Sequence, residues 1–232
     1  MPVLTINNLS FSYDNINIIK NLNLQLKKNE LVSIVGSSGC GKSTIIKLIA
    51  GIEKNYLGDI NGLNTSYMPQ KDLLLPWRTV LENVLLPIEL KNSCLKTGKE
   101  KAIKFLKKLE LDEYQNYLPQ QLSGGMRQRV SFIRTLLNDG DILLLDEPFS
   151  ALDAITKEEL QKWLLKNIRE FNKSMIFITH DINEAIFLSD RILVCKEKPI
   201  EFFQEFSIPK DITLNESIEL KNKILKVIKG EN

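Results

Sequence analysis

The sequence is short of the residues that mark secreted, metal-built or nucleic-acid-coated proteins. Among its 232 residues there are three cysteines, Cys40, Cys94 and Cys195, far apart along the chain and without a CxxC pair. An odd, scattered set suggests neither a disulfide framework nor a zinc site, and it fits a reducing cytoplasm. No uninterrupted apolar run approaches the roughly 20 residues that cross a bilayer, so any membrane contact has to go through a partner. The opening "MPVLTINNLS" lacks a basic segment followed by an apolar stretch, and no secretory signal is expected. Neither charge sign prevails: 31 Lys and Arg against 29 Asp and Glu leave +2, which gives no support to a nucleic-acid partner. Internal repeats and low-complexity tracts are also missing. Histidine occurs once, as His180.

What remains is the composition of an ordinary soluble globular protein, 43% hydrophobic and 26% charged, at a length suited to one large domain or one domain with an inserted subdomain. Residues 3–35 read as β-rich, ending in the short buried strand "LVSIVG". From Lys42, "KSTIIKLIAG" sets Ile45, Ile46, Leu48 and Ile49 at helical spacing, with Gly51 past the end as a cap residue. Residues 80–138 have a helical texture, and "KEKAIKFLKKLEL" places Ala102, Ile103, Phe105, Leu106 and Leu109 on one face with lysines opposite. "DILLLDEPF", "SMIFITHD" and "RILVCK" are short apolar runs separated by helical stretches, the pattern of parallel strands covered on both faces. In residues 196–232, "EFFQEF" reads as an edge strand and "ESIELKNKILKVIKG" as an amphipathic helix. The expectation is a single α/β domain over 1–232, with a helical insertion at about 80–138 and a C-terminal extension from about 196.

Between the buried strand and the helix stand Gly36, four residues, Gly41, Lys42 and Ser43, the G-x-x-x-x-G-K-[ST] pattern of a phosphate loop. Glycines let backbone amides turn inward around phosphate oxygens, and the helix adds its positive end. Lys42 balances the β and γ charges, and the Ser43 hydroxyl is a magnesium ligand. A plain glycine-rich turn explains neither Lys42 nor Ser43. Nucleotide hydrolysis also needs a carboxylate for the metal and a group that orients water. "ILLLDEP" offers Asp146 for the first and Glu147 for the second, although an acidic turn after a strand is common by itself. His180 ends another strand, and loop, acidic pair and histidine all fall at carboxyl ends of expected strands, where open α/β sheets bind ligands. In "LSGGM", Ser123 is suited to cap a helix, while Gly124 and Gly125 permit close approach of an anion; a capped helix start explains the same residues.

With "GSSGCGKST", "LSGGM", "ILLLDEP", "SALD" and His180 in this order, the chain resembles the ATP-binding subunit of ABC transporters over at least residues 4–194. The resemblance implies a P-loop NTPase core sheet with an N-terminal antiparallel β subdomain and an inserted α-helical subdomain. It implies ATP and Mg2+ as cofactors, with Gly36, Ser37, Ser38, Gly39, Cys40, Gly41, Lys42, Ser43 and Thr44 around the phosphates. It also implies Tyr13 stacking on adenine, Gln70 reaching magnesium and water, and Asp153 contacting the other subunit. Glu147, His180 and Lys42 then carry the catalysis, and Ser43, Gln70 and Asp146 face the metal. Ser123, Gly124 and Gly125 would close the site in trans, which makes a second copy of the chain a partner. The other implied partners are an integral membrane permease and, indirectly, a solute-binding protein, with the chain peripheral on the cytoplasmic face of the membrane.

Met126 stands where many members carry glutamine, and Cys40 reads as a small permissive loop residue. "LLPW" after Gln70 resembles importers of the nitrate, sulfonate and taurine type. There Trp77, Leu74 and Leu75 either line the surface that receives the permease or, in the case of Trp77, pack the helical insertion onto the core. The competing functions are a soluble ABC ATPase of nucleic-acid maintenance or translation, an ATP sensor without turnover, and a P-loop kinase. The first predicts a long coiled-coil insertion or a second cassette, the second a damaged acidic pair, and the third leaves "LSGGM" unexplained.

Overall fold

The computed structural model describes residues 1–91 and 94–230. The chain runs β1 (Pro2–Tyr13), β2 (Ile16–Lys27), β3 (Leu31–Gly36), α1 (Lys42–Ile49), β4 (Leu57–Gly62), β5 (Thr65–Met68), α2 (Val80–Leu90) and α3 (Leu95–Lys108). It continues through 3₁₀ turns at Asp112–Tyr114 and Pro119–Gln121 into α4 (Gly124–Leu137), β6 (Ile142–Asp146), α5 (Ala154–Glu170) and β7 (Ser174–Ile178). The last elements are α6 (Ile182–Leu188), β8 (Arg191–Cys195), β9 (Gln204–Ser207) and α7 (Leu214–Lys229).

Two sheets separate the strands by their patterning. β1 and β2 alternate buried and exposed residues, and with β4 they form an antiparallel sheet in the order β2-β1-β4. Asp14 and Asn15 join the first two strands with φ of 41° and 69°, the left-handed pair that matches the twist of a hairpin. The second sheet has the order β5-β6-β7-β3-β8-β9; its first five strands are parallel and β9 adds antiparallel to β8 at the edge. β3, β6 and β7 are buried along their whole length, as continuous apolar runs require when both faces are covered.

The pleat divides those runs between two layers. Ile34, Ile142, Leu144, Ile176 and Cys195 join the core that contains α1 and the antiparallel sheet. Leu143, Leu145, Met175 and Phe177 face the opposite core with α4 and α5, while Val35, Ile192 and Val194 meet α6 and α7. β3 therefore sits inside the sheet, between β7 and β8, and the chain leaves its carboxyl end directly into a loop and α1. That is the position at which doubly wound sheets open a crevice for ligands.

The helical region packs α2, α3 and α4 on one another. On α3, Ala102 and Leu106 are fully buried and Leu109 follows them, but Ile103 is 40% exposed and does not share their face. At 100° per residue Ile103 turns away from the row formed by 102, 106 and 109. Phe105 is half-buried and meets Trp163 and Phe171 edge-on at 6.0 and 6.1 Å, which fastens α3 to α5. At the other end of the chain, α7 starts from a Thr213–Glu216 capping box and buries Ile224 against the third core.

Candidate functional site

The carboxyl ends of four parallel strands supply the site. β3 delivers the phosphate loop, β6 Asp146 and Glu147, β7 the His180 turn, and β5 the segment leading to Gln70. Glycine is required where the loop begins, because a Cβ on Gly36 would lie 2.3 Å from the Cys195 carbonyl oxygen. It is required again at Gly41, whose φ of 118° precedes α1 and whose Cβ would fall 2.8 Å from Ile18. Ser37, Ser38 and Gly39 are exposed, Cys40 is buried, and Thr44 is half-buried beside Tyr13. Lys42 is only 5% exposed, and its ammonium donates to the Gly36 and Ser37 carbonyls at 3.0 and 2.8 Å. A buried cation at the start of a helix with free N–H groups is an anion site by charge and by dipole.

Asp146 is 3% exposed and accepts a hydrogen bond from Ser43 at 3.1 Å. Burial lifts its carboxyl above the usual carboxylate range, and the neighbouring Glu147 charge adds to this against the pull of Ser43, Lys47 and Lys42. The Ser43 and Asp146 oxygens, hard donors at the mouth of a phosphate loop, suit magnesium. Glu147 lies in the left-handed region at φ 51°. Such a backbone costs on the order of 1–3 kcal/mol in a non-glycine residue and persists only where its surroundings hold it. Here the Glu147 N–H donates to the Ile178 carbonyl at 3.1 Å, and its own carbonyl accepts from Gln128 at 3.1 Å and Ser150 at 3.0 Å. That turn aims the carboxylate between two side chains. Gln70 Nε2 donates to one oxygen at 2.9 Å, and His180 Nε2 stands 2.5 Å from the other.

The structure therefore brings Gln70, Glu147 and His180 into one hydrogen-bonded set, and Lys42, Ser43 and Asp146 into an adjacent one. Tyr13 stands beside Thr44, 39% exposed, with its hydroxyl donating to Glu53 at 2.7 Å and its ring edge-on to Phe11 at 4.7 Å. Burial, followed by Glu53, pushes the Tyr13 phenol up to about 12, so it stays neutral. Ser123 caps α4 by accepting from the Met126 N–H at 3.2 Å; a Cβ on Gly124 would meet only the Arg127 guanidinium at 3.9 Å, and Gly125 abuts Leu152 and the Ala151 carbonyl. Among the described residues no hydrogen bond runs from 123–125 to 36–44 of the same chain. Asp153 is exposed and receives the Ile155 and Thr156 N–H groups at the head of α5.

Several positioning residues are invisible in the motif pattern. Buried Gln128 spans from α4 to the acidic turn, donating to the Glu147 carbonyl and accepting from the Ala151 N–H at 3.0 Å. Arg127 pairs with Asp72 at 3.0 Å and Arg134 donates to the Asp72 and Leu73 carbonyls, so α4 also holds the segment after Gln70. Lys157 bridges α5 to Asp181 and Glu184, next to His180. Trp77 is 73% exposed, which excludes its packing on the core, whereas Leu74 is buried and Leu75 half-buried. Fully buried Asn83 fixes that turn with bonds to Leu75, Arg78 and Thr79. Cys40 is also more than a space-filler, since its sulfur lies 2.8 Å from that of Cys195.

The sequence model of a family described as "ABC transporter" matches residues 19–150. A formylaminopyrimidine import ATP-binding protein of Halalkalibacterium halodurans is 40% identical over 90% of this chain and 86% of its own length. An aliphatic sulfonates import ATP-binding protein of Bacillus thuringiensis is 38% identical over 91% of this chain and 88% of its own. A solved dimeric ATP-binding cassette in a post-hydrolysis state with ADP and Pi superposes at a TM-score of 0.79 with 33% identity, covering 89% of this chain and 99% of that one.

Proposed function

We propose, from the premise that the chain belongs to the ABC transporter ATP-binding family, that it binds and hydrolyses ATP as a homodimer and drives an importer's membrane permease. The observation that carries this reading is the meeting of Lys42, Ser43 and Asp146 with the cage of Gln70, Glu147 and His180 at one edge of the parallel sheet. The proposed transported solute is a small polar molecule of the sulfonate, nitrate, taurine or formylaminopyrimidine kind. Nothing in the charge distribution favours a nucleic-acid substrate.

In this mechanism, residues 36–44 enclose the β- and γ-phosphates and the Lys42 ammonium turns from the loop carbonyls to phosphate oxygens. Tyr13 lays its ring against adenine. Ser43 and Asp146, with Gln70 at hand, would hold a magnesium ion, which when bound would supply positive charge to the phosphoryl oxygens. Glu147 accepts a hydrogen bond from the attacking water and polarises it, and His180 and Gln70 hold the carboxylate in that aim. Ser123, Gly124 and Gly125 of the partner subunit present a capped helix start to the γ-phosphate, so each site is complete only in the dimer. Asp153 sits at the seam between copies. Residues 1–232 act as one domain, with the helical insertion at about 80–138 carrying the trans contact and about 196–232 an extension.

Among the described residues no helix is long and apolar enough to cross a membrane, and a permease contact at the cytoplasmic face is proposed through exposed Trp77 and Leu73. A groove of about 290 Å³ is lined by Leu86, Pro87, Leu90 and Arg134, the arginine that also holds Leu73. Phosphate release from ATP by the purified chain tests the reading. Turnover that disappears with a chelator is expected, and a folded chain that binds ATP but releases no phosphate with magnesium present contradicts it. A ligand screen on the importer's solute-binding protein would separate sulfonates from pyrimidines.

A further inference from the structure

Cys40 and Cys195 are the only cysteines among the described residues that are buried, and they face each other at the base of the phosphate loop. They are 155 positions apart in sequence, yet β8 pairs with β3 so that Cys195 lies beside Gly36, the residue where the loop begins. Their sulfurs are separated by 2.8 Å and need less than about 1 Å of approach to reach a disulfide bond length. The cover above them is thin: Ser37 to Gly39 are exposed, and nothing lies within 4 Å of where a Gly39 Cβ would project.

The loop conformation that brings the sulfurs together is bonded to itself. The Cys40 N–H donates to the Ser37 carbonyl at 3.4 Å, and the Lys42 ammonium donates to the same carbonyl and to Gly36. Both the N–H and the ammonium belong to the set that a phosphate has to recruit. We propose that Cys40 and Cys195 form a reversible oxidative modification site, and that their disulfide locks the phosphate loop in this self-bonded form and excludes ATP. The inference rests on the proposed ATP-binding role of the loop.

The oxidant is a peroxide. The Cys40 thiolate attacks one peroxide oxygen, the O–O bond breaks, and the sulfur becomes a sulfenic acid as hydroxide leaves. The Cys195 sulfur then attacks the Cys40 sulfur. The S–O bond breaks, and the leaving hydroxide takes up the Cys195 proton as water. Two thiols and one hydrogen peroxide give one disulfide and two waters. The roles follow from the environment. The Cys195 hydrogen bond, with Lys42 adding its charge against burial, holds the Cys40 thiol well below the usual range, at about 6. The same contact and burial push Cys195 up. Cys40 is thus the attacking sulfur and Cys195 the resolving one. In a reducing compartment thiol exchange returns the pair to its reduced form.

The linkage is reciprocal, so ATP protects the pair as the disulfide excludes ATP. The test is hydrogen peroxide treatment of the full chain, with and without Mg-ATP, followed by alkylation, non-reducing peptide mapping and a TNP-ATP binding titration. A Cys40–Cys195 linked peptide is expected, accompanied by a loss of nucleotide affinity of at least 10-fold that dithiothreitol reverses. Mg-ATP should slow linkage severalfold. Cys195→Ser, with Cys195→Ala as the alternative should serine not fold beside Gly36, should keep basal turnover and form no linked peptide. Disulfides confined to exposed Cys94, or a linked chain that binds TNP-ATP as well as the reduced one, overturn the proposal. Failure of the reduced chain to bind nucleotide overturns instead the function on which it rests.

Discussion

Asp146 and Glu147 are adjacent in sequence and opposite in circumstance. The first is buried at a strand end with its pKa raised by burial; the second sits on a left-handed turn, caged by Gln70 and His180. Glu147→Gln keeps the size of the side chain and loses its basicity. ATP affinity should stay within about 2-fold while turnover falls by roughly 10²–10⁴, the usual contribution of a positioned base; phosphate release beside a nucleotide titration checks this. Asp146→Asn has two effects. It removes a buried charge but leaves an oxygen for Ser43, so the nucleotide-free chain should melt about 2–4 °C higher for a gain of about 1 kcal/mol. Mg-dependent turnover should be lost. Because the Asp146 pKa is raised by folding, the folded state binds this proton more tightly than the unfolded one. The group's penalty is therefore present at neutral pH and fades as pH falls through the raised pKa. The melting difference between the Asp146→Asn variant and the native chain should shrink on acidification, as scanning calorimetry across pH would show.

Among the elements, α4 does most to tie the site together, holding the acidic turn through Gln128 and the segment after Gln70 through Arg127 and Arg134. Gln128→Ala should leave nucleotide affinity unchanged and cut kcat about 10-fold, because it frees the turn that aims Glu147 without touching the loop. Ser123 is both helix cap and proposed phosphate contact, and two substitutions separate those roles. Ser123→Ala should cost about 1 kcal/mol of stability. Ser123→Asp should keep the cap and the melting temperature but abolish turnover, since its charge would oppose the γ-phosphate. Unimpaired turnover in Ser123→Asp would leave the cap as the residue's whole role.

The strands and helices that sequence patterning exposes have a buried apolar run, as β3, β6, β7 and β8 do, or an apolar stripe at helical spacing, as α1, α3 and α7 do. β4, "LGDING", has no such run and is held by its pairing with β1, which local pattern cannot reveal. Ile103 falls outside the expected face because a charged, short helix offers more than one stripe. The motif residues are legible because each is a chemical necessity at a fixed spacing. Gln128, Asn83, the Glu147 turn and the Cys40–Cys195 contact are not, because each depends on a partner that only the folded chain brings near. The exposure of Trp77 likewise follows from Asn83 bracing the turn, not from the tryptophan itself.

In the whole molecule, phosphate loop and signature residues occupy separate places: 36–44 follow β3, while 123–125 head a helix packed on α2, α3 and β5. In the proposed mechanism one chain presents two half-sites without joining them, and a head-to-tail pair of copies would join both at once. On that proposal closure would depend on nucleotide and opening on hydrolysis. The most direct measurement is the solution mass of the Glu147→Gln chain by size exclusion with light scattering, with and without saturating Mg-ATP. A shift from the 26.6 kDa monomer to a particle of twice that mass is expected only when ATP is present. A particle that binds ATP and remains monomeric would contradict the shared-site dimer.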